Sequence, residues 1–348
     1  MLLLAGCGRP PETSLKTGDL ALYVYSAQKR ALLQIRADFS GVEREIPLRL
    51  PLCELSRLYA ASGGNGLVAE MACPEGPLAL LIDPLTGATG GFLQGSGPDS
   101  HFLAWSPDGR TAYLRVNALA DPRILAVEVP SLRARGLPLD GYTYDLAPRP
   151  GGREILFSFS RGMGLGSEML AVQPGGDNAR SLLRDRQSIL ALAQWSPDGQ
   201  TIAFIKIPDT QVPYTVGGLW LMDPYGGNLR EIAAADAGHG YSAAWSPEGE
   251  RLAFVVRSNP QDVQADHSLG ALVSNIQVIR LDTGAVQQVT SYDAGRAGTP
   301  VWSPGGNTLS FEYVLDGRME VQIASLTGST QAPIYIFDAV CCPVWMRK

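Results

Sequence analysis

Three histidines, His101, His239 and His267, and five cysteines, Cys7, Cys53, Cys73, Cys341 and Cys342, are the side chains of this 348-residue chain whose chemistry goes beyond packing and charge. Three neutral imidazoles meeting around a zinc or manganese ion would make a Lewis acid suited to a lyase or a hydrolase. No HExxH-type spacing fixes two such ligands on one element. A GxSxG elbow, a Walker loop and a calcium loop of alternating carboxylates are also missing from the sequence. The run Gly162, Gly164, Gly166 follows a strand-like segment and opens no helix, so it reads as a hairpin connection and not as a phosphate cradle. The expectation is a chain without catalytic residues, cofactor or metal, with His101, His239 and His267 as the alternative metal set.

What positions these residues is a repeat. The segments AWSPDGRTAYL, QWSPDGQTIAF, AWSPEGERLAF and VWSPGGNTLSF place an aromatic anchor at Trp105, Trp195, Trp245 and Trp302, and Trp345 ends a fifth copy. Arg149 and Ala60 hold the same register in two degenerate copies, so the anchor recurs seven times at intervals of 43 to 57 residues. A period of that length, made of short strands and turns, is the mark of one propeller blade per copy. In SPDG the proline presets the first central turn position and Gly109 or Gly199 takes a left-handed conformation, closing a hairpin between two strands. The strand that follows, such as TIAFIK at 201–206, is apolar on both faces, as a strand sandwiched between neighbouring blades must be. A second turn, exemplified by Asp223 to Gly227, also recurs seven times.

The two ends of the chain complete each other. Residues 20–49 supply three strands of a blade but no first strand, and residues 339–346 supply a first strand alone. The predicted fold is therefore all-β, a seven-bladed β-propeller of four-stranded antiparallel blades, closed by the N-terminal strands plus the C-terminal strand. Closure removes the sheet edges that an open array would expose. Residues 1–18 form a signal remnant and tether, and 19–348 the propeller.

The WSPDG hairpin followed by a DPYGGN-type turn (Asp223 to Asn228) resembles the repeat of TolB-type propellers over residues 19–348. The resemblance implies a periplasmic or otherwise extracytoplasmic ring, of a family whose members commonly act as protein-binding platforms. Composition fits: 39 Gly and 25 Pro supply the turns, and a net charge of −6 with no basic cluster argues against nucleic acid as a partner.

Leu2 to Cys7, LLLAGC, resembles the lipobox of bacterial lipoproteins, which implies lipidation of Cys7 and a polar leash over residues 8–18. The run before Cys7 is shorter than a working signal, so the written start is expected to be internal to the true signal or trimmed; the alternative is a disordered cytoplasmic N-terminus. Cys53 and Cys73 flank the hairpin at Ala60 symmetrically and are expected to face each other as a disulfide, the alternative being two buried thiols. Cys341 and Cys342 are either free or joined as a strained vicinal disulfide, with a redox or metal role as the minor alternative.

In a propeller the loops entering the first strand and those joining the second to the third share one face. Three consecutive second-to-third loops are long, Arg161 to Ser167, Pro208 to Gly218 and Ser258 to Ser274, and loops of that length are commonly functional. The expected binding residues are Tyr214, Asp262, Asp266 and His267 on these loops, beside Tyr142, Tyr144, Asp145, His239 and Tyr241 at the strand entrances. All three histidines map to the same face. The expectation is a monomeric, membrane-anchored lipoprotein that binds an envelope protein, a peptide or a glycan there.

Overall fold

The computed structural model describes residues 19–61, 66–92, 99–116, 121–140, 142–236, 241–327 and 335–348. Cys7 and His239 lie outside them. The described residues are all-β, and their single helical element is the 3-10 turn Leu269–Ala271. Among them, no helix is long and apolar enough to cross a membrane.

The strands pair as antiparallel four-stranded sheets that follow the repeat. Their inner strands are Glu54–Ala60, Ser100–Trp105, Thr143–Pro148, Ser188–Trp195, Ala244–Trp245, Arg296–Trp302 and Val340–Arg347. The first six open the first to sixth sheets in chain order. Val340–Arg347 instead pairs with Leu20–Ser26, from Leu20 opposite Arg347 to Ser26 opposite Val340, and Ala31–Ile35 and Val42–Pro47 complete this terminal sheet. The fifth and sixth sheets are joined by one parallel bridge, Ser274 to Arg296.

Strand faces explain why the second strands carry apolar residues on both faces. In Ile202–Pro208, Ile202 and Phe204 pack toward the third sheet, while Ala203 and Ile205 pack toward the fifth. The same division recurs from sheet to sheet. It includes clusters joining the terminal sheet both to the first (Tyr23, Leu32, Leu67, Met71) and to the sixth (Leu22, Val24, Val321, Ile323). Three of the Trp anchors act as wedges across these junctions: the indole N–H of Trp105 donates to Tyr59 O at 3.1 Å, Trp195 to Ala147 O at 3.0 Å and Trp302 to Ala244 O at 2.9 Å. Each acceptor belongs to the preceding sheet's inner strand, so a buried polar atom is satisfied while the ring fills the gap.

The hairpin turns behave as their sequence requires. Gly109 and Gly199 both have φ of +67°, the left-handed conformation that favours glycine. The serine before the proline has a part that the turn chemistry alone did not assign. Ser196 Oγ donates to Asp198 Oδ1 and accepts the Thr201 N–H at 2.9 Å. That hydrogen bond, followed by one from the Gln200 N–H, holds the Asp198 carboxyl below the usual carboxylate range. Cys53 and Cys73 are bonded, with Cα atoms 4.9 Å apart. Cys341 and Cys342 are bonded to each other.

Candidate functional site: a central cavity and a rim of long loops

The inner segments converge on a cavity of about 650 Å3 whose wall includes Arg57, Phe102, Gln194, Thr299 and Cys342 from five different sheets and Tyr241 from the segment leading into Ala244–Trp245. A second lobe of about 420 Å3 shares Arg57, Phe102 and Gln194 and adds Tyr144, Asp145 and Leu192 of the third and fourth sheets. Each inner strand except the short Ala244–Trp245 carries a bulge near this level: register shifts occur at Leu55/Arg57, Phe102/Ala104, Thr143/Asp145, Ala191/Gln194, Gly298/Val301 and, in the terminal strand, opposite Tyr23/Tyr25. An extra residue breaks the ladder and turns N–H groups away from their strand partners.

Carboxylates on neighbouring sheets take up those N–H groups. Phe102 N donates to Glu70 Oε2 at 3.2 Å, Ala193 N to Asp145 Oδ2 at 2.6 Å, and Cys342 N to Glu312 Oε1 at 2.7 Å. In each case the acid stands on the sheet before the one it latches. Burial pushes the Asp145 carboxyl up to about 6, against the lowering effect of its backbone N–H donors. His101 Nδ1 lies 3.2 Å from Glu70 Oε1, so this imidazole is engaged by the same latch. Tyr144, whose hydroxyl donates to Leu190 O at 2.5 Å, ties the third sheet to the fourth. Tyr241 lies over Gly298, where an added Cβ would meet its ring at 2.4 Å. Tyr144, Asp145 and Tyr241 therefore line the cavity while bracing it.

The rim is organised by a residue that the repeat pattern gave no reason to single out. Arg257, at the end of the strand Arg251–Arg257, and Asp236 form an ion pair at 3.1 Å with both side chains fully buried. Ser274 Oγ donates to the other Asp236 oxygen at 2.7 Å. The same guanidinium donates to Asp266 Oδ1 at 2.8 Å and to Tyr214 O at 2.5 Å, and Tyr214 N donates to Asp266 O at 3.1 Å. Two long loops from neighbouring sheets are thus bound to one buried cation. Asp266 is spent in that junction, whereas Asp262 and His267 are exposed. The only sequence signal for Arg257 is a charge closing the apolar run LAFVV.

Beside Asp262, Val263 is 70% exposed; on the glycine-rich hairpin Met163 is 66% and Leu165 65% exposed, and Tyr142 is exposed as well. Arg161 pairs with Asp140 at 2.5 Å and stacks on Tyr142, 6.0 Å from the ring centre. The apolar tips were not apparent as contacts, because a short Gly-spaced loop carries no pattern that separates exposed from buried Met or Leu.

No protein-family profile matches the chain, and no curated protein sequence does. Solved structures do. A putative TolB from Agrobacterium tumefaciens, 15% identical, aligns with 66% of this chain and 95% of its own at a TM-score of 0.51. TolB from Acinetobacter baumannii, also 15% identical, aligns with 94% of this chain and 66% of its own at 0.52. An oligogalacturonate lyase in complex with manganese, 15% identical, aligns with 87% of this chain and 81% of its own at 0.59. At these identities the likeness is one of fold: the chain has a TolB-like β-propeller fold.

Proposed function

We propose that the sheets are the blades of one seven-bladed ring, closed by the pairing of Val340–Arg347 with Leu20–Ser26, and that the ring is a non-catalytic, extracytoplasmic binding platform. The observation that carries the binding reading is the rim: long loops of adjacent sheets, fastened together by buried Arg257, expose apolar and aromatic side chains beside charged ones. Exposed apolar groups set in a polar surround favour a protein or peptide over a glycan. The net charge of −6 argues against nucleic acid as the partner.

The terminal sheet supports one orientation of such a platform. Lys348 N donates to Asp19 O at 3.1 Å, and Leu20 pairs with Arg347, so the chain enters the terminal sheet at the end where the Trp-bearing strands finish. A leash reaching back to a lipidated Cys7 would hold that face toward a membrane and the long loops away from it. The disulfide Cys53–Cys73 accords with an oxidising compartment. A metal-dependent enzyme using His101, His239 and His267 is the competing reading, and metal analysis of the purified protein and its His101→Ala variant separates the two.

The test is photocrosslinking in intact cells with a photoreactive residue at Met163 or Val263 on the rim, and at Tyr225, 76% exposed, on the opposite turn face. One discrete envelope partner captured from both rim positions and not from Tyr225 is the expected outcome. Capture confined to Tyr225, or a smear of unrelated proteins from every position, would remove the proposal.

A further inference from the structure

We propose that Cys341, Cys342 and Glu312 form a redox-gated site for one thiophilic divalent cation such as zinc, closed while the two cysteines are bonded and opened when they are reduced. The two sulfurs and a Glu312 carboxylate oxygen lie within 4.8 Å of one another. Thiolates with a carboxylate are a donor set that zinc accepts, three protein ligands leaving a fourth position for water. Cys342 and the following Pro343 belong to the wall of the larger cavity, which gives an ion and an exchanging reductant a route to sulfur.

The fold itself does not call for the bond. Cys342 sits three residues before Trp345 with φ of +61°, and Leu192 and Thr299, at the same distance from Trp195 and Trp302, have φ of +56° and +50°. The bulged backbone is therefore made by leucine and threonine elsewhere in the repeat, with no sulfur involved. A latch to a carboxylate is likewise available without cysteine, as Ala193 N and Asp145 show. What Cys341 and Cys342 add is chemistry.

Glu312 is held ready for the task. Its Oε1 accepts the Cys342 N–H at 2.7 Å and its Oε2 accepts the Thr299 hydroxyl at 2.8 Å. A carboxylate has about four lone-pair sites, so each oxygen keeps one for a metal while its orientation is fixed by the protein, the usual arrangement around a bound ion. Opening the site is a thiol–disulfide exchange. A dithiol reductant attacks one sulfur, passes through a mixed disulfide and leaves as its own cyclic disulfide, transferring two electrons and two protons to give two protein thiols. Binding of the cation then releases the two thiol protons. Exchange with the cyclic disulfide of the same dithiol, which takes back two electrons and two protons, reverses the sequence and expels the ion, because sulfurs bonded to each other are no longer thiolate ligands. This site is distinct from the histidine set and does not rest on the binding role of the rim.

The experiment is a cobalt(II) titration of the full-length protein after reduction with a thiol-free phosphine that is removed under nitrogen. Reduced protein that keeps its circular dichroism should take up one equivalent with a thiolate-to-cobalt charge-transfer band, and unreduced protein should show none. Cys342→Ser or Cys341→Ser should abolish the band, Glu312→Gln should weaken binding about tenfold or more, and the double variant Cys53→Ser/Cys73→Ser should retain it. If either serine variant fails to fold, the comparison of oxidised with reduced wild-type protein still decides. A folded, reduced protein without the band, or a band lost only when Cys53 and Cys73 are replaced, would overturn the assignment.

Discussion

Asp145 shows how a side chain can look like a binding group in the sequence and serve the framework in the fold. An acid next to two tyrosines at a strand entrance reads as a ligand contact, and nothing local announces that the bulge at Leu192 and Ala193, some 48 residues on, will present N–H groups to it. Such long-range pairings are invisible to local pattern. The position of Gly109 and Gly199, by contrast, was legible, since one residue type relieves the strain of a left-handed turn. The Asp145 environment yields a pH prediction. Its folded carboxyl is raised to about 6 from the ordinary 3.8, so between those values the folded state binds more protons than the unfolded one, and stability falls as pH rises through this window. The size is up to about 3 kcal/mol if the whole difference is realised. Asp145→Asn, which keeps an acceptor for the Ala193 N–H, is expected to remove that component. Urea unfolding of both proteins at pH 4 and pH 6.5 measures it, and a parallel decline in the two would refute the assignment.

Strands and turns were the most readable elements, because each blade repeats the same constraints. The hairpin pairing of Cys53 with Cys73 followed from simple counting about Ala60, and the bond is present. Loops are less readable, each being a single instance. Their lengths were plain, while the junction at Arg257 was not. That junction makes a graded prediction. Replacing Arg257 by Met takes the fully buried guanidinium away from Asp236, Asp266 and Tyr214 O, which should cost about 3–5 kcal/mol and free both loops to limited proteolysis. Asp266→Asn alters a partner that is 35% exposed and keeps a hydrogen-bond acceptor, so its cost should stay near 1 kcal/mol or less. Equal effects of the two variants on unfolding free energy would mean that Arg257 does not organise the rim as described.

Across the molecule, apolar contacts run from sheet to sheet. Tyr23, Leu32 and Met346 pack with the first sheet, and Leu22, Val24 and Val340 with the sixth, so the terminal sheet shares core with both. The repeat disclosed this arrangement because a shared period constrains every blade at once. What the rim would bind is not legible in the sequence, since loop shape and not fold selects a partner. The proposed closure of the ring would make the pairing of Leu20–Ser26 with Val340–Arg347 a core feature despite its lying at the two chain ends, where strands ordinarily fray. Native-state amide hydrogen exchange is the direct measurement. The account predicts that the amides of Leu22 to Tyr25 and of Val344 to Met346 exchange as slowly as those of Ala203 to Ile205 in the fourth sheet. Rapid exchange at these ends, with the fourth sheet still protected, would contradict the closed ring and the placement of the long loops on one face.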